Sequence, residues 1–238
     1  MKTCLIRQPA GLGDIFFTQK IAKTILKENR AEKVIWPIIK EYSYLSDYMI
    51  GKDITYIDEN ENFLFKNIYV SDPISIIDNS ELLYIPLQRA DRSIHDCPIM
   101  QTKYKFVEMD YSDWLNHLEF KRNYEREQIL EAHLKPQKPY VLINDSFGSK
   151  DYAYLKNKRE MPPKDNAIFM KYLGFDNVFD WLGLIEGAQE IHTVDTAWCY
   201  LLKKLGLKNV TVYSRKPNDF NFFKYVFDIF DPDWEYVL

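Results

Sequence analysis

The chemistry of this chain starts from a carboxylate at the end of a glycine turn. Residues 9–14 read Pro-Ala-Gly-Leu-Gly-Asp. Gly11 and Gly13 permit positive φ and a close approach of backbone to ligand. Asp14 stands where a helix N-cap belongs. There its carboxylate can cap free N–H groups, pair with a nearby arginine, or take a proton from a hydroxyl as a general base. A second acid, Asp195, precedes Thr196 and Ala197 at the head of another helical run. A helix N-terminus at that point would offer free N–H groups and a positive dipole end to an anion, with the Thr196 hydroxyl as a further donor and Asp195 as the cap. Lys158 and Arg159 are cations able to make charge-assisted bonds to phosphate. Ser146 and Ser149 add hydroxyls in the loop before them. Arg89, Arg92 and His95 sit in a long polar stretch, 88–101, of the kind that receives substrates. Glu186 lies on a helix leading to Asp195, where by itself it reads as a solvated helix residue.

Two familiar phosphate motifs are excluded. The spacing Gly-x-Gly-Asp lacks the third glycine of a dinucleotide fingerprint, and no Gly-Lys-Ser/Thr follows for a Walker loop. The four histidines, His95, His117, His133 and His192, have no metal-ligand spacing, so no metal and no bound cofactor are expected.

The elements that must position these groups are α/β units. An apolar run at 3–7, the glycine turn, and helical spacing from Ile15 onward make strand, turn and helix. Further strands are read at 33–38, 53–58, 67–70 and 82–86, and helices at 41–49, 105–118 and 119–134. The last of these is strongly charged and reads as a solvated face. Lys135-Pro-Gln-Lys-Pro139 reads as a linker. A second unit follows, with strands at 140–144, 190–194 and 209–213. Its helices fall at 178–188 and at 197–205, the latter closed by Gly206. The aromatic-rich tail 216–238 reads as a helix returning to pack on the first half. Strands that are continuously apolar and separated by helical stretches imply parallel sheets. The expected architecture is therefore α/β, a domain at 1–135 and a domain at 136–238, each with an aspartate at a strand-to-helix junction at the mouth of its sheet.

Bulk properties narrow the classes. At 238 residues and 46% hydrophobic, the chain can bury a core in one large or two small domains. A net charge of −4, with no concentration of basic residues, argues against nucleic-acid binding. No stretch approaches the roughly 18 apolar residues that cross a bilayer, and Arg7, Pro9 and Asp14 interrupt any signal-peptide core. Cys4, Cys97 and Cys199 are odd in number and far apart, which disfavours a disulfide framework and points to the cytoplasm.

Taken together, Gly11-Leu-Gly-Asp14, Lys158-Arg-Glu-Met-Pro162, and Thr193-Val-Asp-Thr196 followed by Leu201-Leu-Lys-Lys-Leu-Gly206 resemble the ADP-heptose:lipopolysaccharide heptosyltransferase family. The three segments occur in the family's order across nearly the whole chain. The resemblance implies a GT-B fold, two Rossmann-like domains around a donor cleft, and an inverting, metal-independent glycosyltransferase. It implies a nucleoside-diphosphate sugar as donor and a glycan, lipid-linked or other hydroxyl acceptor. Asp14 matches the family's glycine-loop aspartate and is the candidate base. The candidate substrate-binding set is Gly11, Gly13, Ser146, Ser149, Lys158, Arg159, Glu186, Asp195, Thr196, Ala197, Arg89, Arg92 and His95. The sequence also departs from the family. Ala197 replaces a glycine, Tyr200 stands about where a histidine belongs, Met161 replaces a tryptophan, and the chain is shorter. Neither ADP-heptose nor a lipid A core acceptor is therefore implied. A non-catalytic nucleotide- or glycan-binding module and a nucleotide-sugar epimerase are the alternative readings.

Overall fold

The computed structural model describes residues 1–90, 99–146, 161–162, 164–214 and 228–238. The chain divides into two α/β units, Met1–Lys121 and Arg122–Leu238.

Among the described residues the first unit has five strands: β1 (Thr3–Ile6), β2 (Lys33–Ile38), β3 (Ile54–Asp58), β4 (Ile77–Asp78) and β5 (Leu82–Ile85). Their order in the sheet is β3-β2-β1-β5-β4. All neighbours are parallel except β4 and β5. All four residues of β1 are buried, which a strand covered on both faces requires and which explains its unbroken apolar run. Its helices are α1 (Leu12–Phe17), α2 (Gln19–Lys27), α3 (Leu45–Tyr48), α4 (Lys66–Ser71), α5 (Ile99–Phe106) and α6 (Trp114–His117). Thr18 separates α1 from α2. Its hydroxyl donates to the Asp14 carbonyl at 2.7 Å, and such back-bonding bends helices.

Several local readings are corrected here. Residues 67–70 belong to α4, not to a strand. A run of three apolar residues fits either state, and the helix buries Tyr69. The helix expected at 105–118 is two helices, α5 starting earlier and α6 ending it. The stretch 41–49 is a 3₁₀ turn at Lys40–Tyr42 followed by α3.

The second unit contains β6 (Val141–Asn144), β7 (Ala167–Phe169), β8 (Glu190–Val194), β9 (Val210–Tyr213) and β10 (Glu235–Val237), ordered β10-β9-β8-β6-β7 and all parallel. Its helices are α7 (Tyr124–Leu134), α8 (Leu182–Gly187) and α9 (Trp198–Lys204). The described part of the tail, 228–238, adds strand β10 beside β9 and contains no helix. A strand edge offers backbone partners that its aromatic composition did not reveal.

The division between units falls between Lys121 and Arg122, ahead of the proline-rich stretch at 135–139. The cause is α7, which is bound to its own unit by charge. Arg126 donates from Nε and Nη2 to the Asp180 carboxylate at 2.9 and 2.7 Å and from Nη2 to the Phe175 carbonyl at 2.6 Å. Arg122 pairs with Glu127 and Glu186. Glu127 and Leu130 are buried, so the charged helix is not a solvated face throughout. Asp180, 2% exposed, also accepts the Asn177 N–H at 2.9 Å to close a capping box. Truncating it removes the carboxylate partner of Arg126 and uncaps the turn together. Asp180→Ala is expected to destabilise the protein by about 1–3 kcal/mol, read from the midpoint of chemical denaturation.

Candidate functional site

In open parallel sheets ligands gather outside the carboxyl ends of strands, at the point where strand order reverses. Both units have such a point. In the first, the sequence runs outward from β1 through β2 and β3 on one side and returns through β5 on the other. In the second, β6 has β7 on one side and β8, β9 and β10 on the other.

The turn after β1 leads into α1, which carries Asp14. Gly11, not Asp14, is the N-cap of α1, with φ 79° and ψ 84°, and no side chain caps the helix. Asp14 lies inside the first turn. Only Gly11 uses a left-handed backbone; Gly13 is helical. A Cβ on Gly11 would stand 2.3 Å from Asp14 Oδ2, so the bare Cα is where that oxygen rests. Asp14 Oδ1 is 3.0 Å from the Lys103 ammonium of α5. Its side chain is 30% exposed, whereas that of Lys103 is 8% exposed. Lys103 donates to Gln8 Oε1 at 2.8 Å and to the Leu87 carbonyl at 3.4 Å. Gln8 in turn donates from Nε2 to the Ala10 carbonyl at 2.6 Å. Tyr42 faces the same turn. Burial pushes its phenol up, a hydrogen bond with the Leu12 backbone opposes this, and the charges of Asp14 and Glu41 add to the rise.

Arg89, offered by the sequence as an acceptor contact, follows β5 and is engaged by Asp72. Its Nε donates to Asp72 Oδ2 at 2.9 Å. Arg7, directly after β1, reaches Asp72 Oδ1 at 3.3 Å, donates to the Tyr69 carbonyl at 3.0 Å and lies over the Tyr69 ring. The Tyr84 hydroxyl is buried beside this group. It meets hydrogen-bond geometry with no described partner, although Asp72 lies near enough to act on it, and burial pushes its pKa up to about 12. Arg92 and His95 lie outside the described residues.

At the reversal point of the second unit, register aligns Asn144 with Thr193, and Val194 with Tyr213. Asn144 Nδ2 donates to the hydroxyls of Thr193 and Thr196 at 2.9 and 3.1 Å, joining the end of β6 to the turn after β8. Ser146, exposed, donates to Asp145 Oδ1 at 2.8 Å. Thus Ser146, Asp195, Thr196 and Ala197 share the carboxyl edge of one sheet. Asp195 does not cap α9. It is 1% exposed, the cap position is Ala197 with no side-chain bond, and α9 has seven residues. So short a helix has little dipole to offer, and the hydroxyls are the better anion donors. Met161 packs against Val194 and Tyr213, the last residues of β8 and β9. Ser149, Lys158 and Arg159 lie outside the described residues.

Glu186 is not at this edge. It lies on α8, 44% exposed, in an ion pair with Arg122. Together with Glu127 it holds that guanidinium well above its usual range. Among the described residues, no group of three or more His, Cys, Asp and Glu side chains could hold a metal ion. Also among them, no helix is long and apolar enough to cross a membrane.

Against solved structures, the chain matches the crystal structure of the glycosyl transferase family 9 protein from Veillonella parvula DSM 2008. The TM-score is 0.54 and the identity 10%, over 99% of this chain and 85% of that one. The fold is of the GT-B type. Weaker matches are the iron-containing dodecameric glycosyltransferase TibC from enterotoxigenic E. coli H10407 (TM-score 0.48, 10% identity, 90% of this chain and 58% of that one) and E. coli heptosyltransferase WaaC with ADP (TM-score 0.47, 8% identity, 100% and 93%). No protein-family profile and no curated protein matches the sequence. At such identity the likeness is one of fold, and GT-B-type architecture here consists of two Rossmann-like units, each with polar groups at its reversal point.

Sequence reasoning missed Gln8, Lys103 and Asn144. Gln8 and Lys103 are 95 positions apart, and nothing in the spacing links them. Asn144 could have been flagged as a polar residue closing an apolar strand at a carboxyl end.

Proposed function

We propose that this protein is an inverting, metal-independent glycosyltransferase that moves a sugar from a nucleoside-diphosphate sugar to a hydroxyl acceptor. The observation that carries the reading is the placement of Asp14. It is a partly exposed carboxylate at the strand-order reversal of a GT-B-type fold, on the turn that resembles the heptosyltransferase glycine loop. In this reading Asp14 takes the proton of the acceptor hydroxyl. The oxygen attacks the anomeric carbon from the face opposite the diphosphate, the bond from that carbon to the phosphate oxygen breaks, and configuration inverts. Ser146 and Thr196 donate hydrogen bonds to the departing diphosphate, and Lys158 and Arg159 neutralise its charge. The cation pair takes the part that a divalent metal plays in other transferases. The cytoplasm, where nucleotide sugars are available, is the proposed location.

The Asp14–Lys103 pair supports a second reading. A turn that merely binds a nucleotide or glycan would also gain stability from it, with no transfer.

The test is thermal unfolding against UDP, GDP, ADP, CMP and dTDP, each without metal and with Mg²⁺. A ligand at about 100 times its Kd stabilises by about 2.7 kcal/mol. One nucleoside diphosphate is expected to raise the melting temperature without metal. A rise that needs Mg²⁺ defeats metal independence, and a flat response to all five defeats the donor site.

A further inference from the structure

We infer that Lys103 is the positioning residue for Asp14: it fixes the carboxylate so that one oxygen is held and the other is presented. The inference rests on the proposed role of Asp14 as base. Lysine is seldom buried this deeply, because the ammonium loses its water. Here the cost is offset by three oxygens from three parts of the chain: Gln8 Oε1 at 2.8 Å, the Leu87 carbonyl at 3.4 Å and Asp14 Oδ1 at 3.0 Å.

Each of those contacts is itself anchored, which is what a mobile surface pair lacks. Gln8 donates to the Ala10 carbonyl, so its amide oxygen is the atom that faces Lys103. Leu87 is buried directly after β5. Helix α5 is seated next to Lys103 by Tyr104, whose hydroxyl donates to the Phe17 carbonyl and whose ring meets Phe17 edge-on at 5.2 Å. On the other side the Asp14 backbone is fixed, because its carbonyl accepts both the N–H and the hydroxyl of Thr18 at 3.1 and 2.7 Å. With backbone and Oδ1 both held, Oδ2 settles over the bare Cα of Gly11. An ammonium placed this way orients the base and fixes where its charge lies before substrate arrives, and orientation of a catalytic group is worth large factors in rate.

The experiment measures release of nucleoside diphosphate from UDP-, GDP-, ADP- and dTDP-sugars by wild type, Lys103→Met, Lys103→Arg and Asp14→Asn. Thermal unfolding is recorded for each. Lys103→Met is expected to lower kcat at least tenfold with donor KM within twofold. Lys103→Arg, which keeps the cation, is expected to recover part of kcat. A purely structural lysine would move the melting temperature and leave kcat of the folded fraction alone. If Lys103→Met folds and keeps kcat within twofold while Asp14→Asn is inactive, the positioning role is overturned and the base survives. If Lys103→Met does not fold, Lys103→Arg and Gln8→Met, which removes the lysine's second anchor, decide in its place; full kcat in Gln8→Met overturns the proposal. If Asp14→Asn turns over normally, or wild type releases nothing from any donor, the underlying reading fails and the inference with it.

Discussion

Asp14→Asn should abolish glycosyl transfer while leaving nucleoside-diphosphate binding intact. General-base catalysis contributes about 10²–10⁴-fold, so kcat is expected to fall by that factor, with donor KM within twofold of wild type. The substitution is nearly isosteric, and the asparagine carbonyl can still face the Lys103 ammonium. It does leave a buried cation without its anion. A stability loss of about 1–3 kcal/mol is therefore expected as well, and rates should be taken far below the melting transition. The two readings part cleanly on this variant. If the turn only binds, Asp14→Asn lowers the melting temperature and changes no rate, because there is no rate to change. If the turn is catalytic, the loss in kcat exceeds anything the small loss of folded protein can produce. Recovery of full turnover in folded Asp14→Asn would remove Asp14 from the chemistry.

How far the sequence reached depends on whether a feature is local. Strand β1, the glycine turn and the first helix follow from consecutive residues, so their existence and order were legible. The same holds for β6, β8, α9 and the Gly206 close. What was illegible is what long-range packing decides. Residues 67–70 fall in α4, which places Tyr69 in a cluster with Leu5 and Tyr84; three apolar residues in a row carry no period that tells a helix from a strand. Helix α7 joined the second unit through Arg126 and Asp180, 54 positions apart, and no linker composition announces that. The candidate site divides in the same way. Asp14, Ser146, Asp195 and Thr196 announce themselves at strand-to-loop junctions. Lys103 has no such signal, since a lysine in an amphipathic helix ordinarily points to water. Glu186, picked for its position before β8, is partly exposed and pairs with Arg122, a contact 64 positions away that its sequence neighbourhood does not announce.

The glycine of the turn provides the other large effect. Gly11→Ala should cost stability and rate together, for two separable reasons. A non-glycine residue at φ 79° carries roughly 1–3 kcal/mol of backbone strain. The added methyl would also stand 2.3 Å from Asp14 Oδ2, far inside contact, so the carboxylate must shift from the place it holds beside Lys103. Disturbing this partly exposed pair adds to the strain, and a total of about 2–4 kcal/mol is expected. Gly206→Ala separates the two causes. Gly206 has a similar backbone, φ 68°, but nothing lies within 4 Å of where its Cβ would be. It should cost about 1–2 kcal/mol and leave turnover unchanged. Gly11→Ala should lose stability beyond that and lower kcat at least tenfold, with donor binding retained. If Gly11→Ala matched Gly206→Ala in stability and kept full kcat, the Asp14 carboxylate would not need the place the turn gives it. Asp14 would then not be a base positioned by this turn.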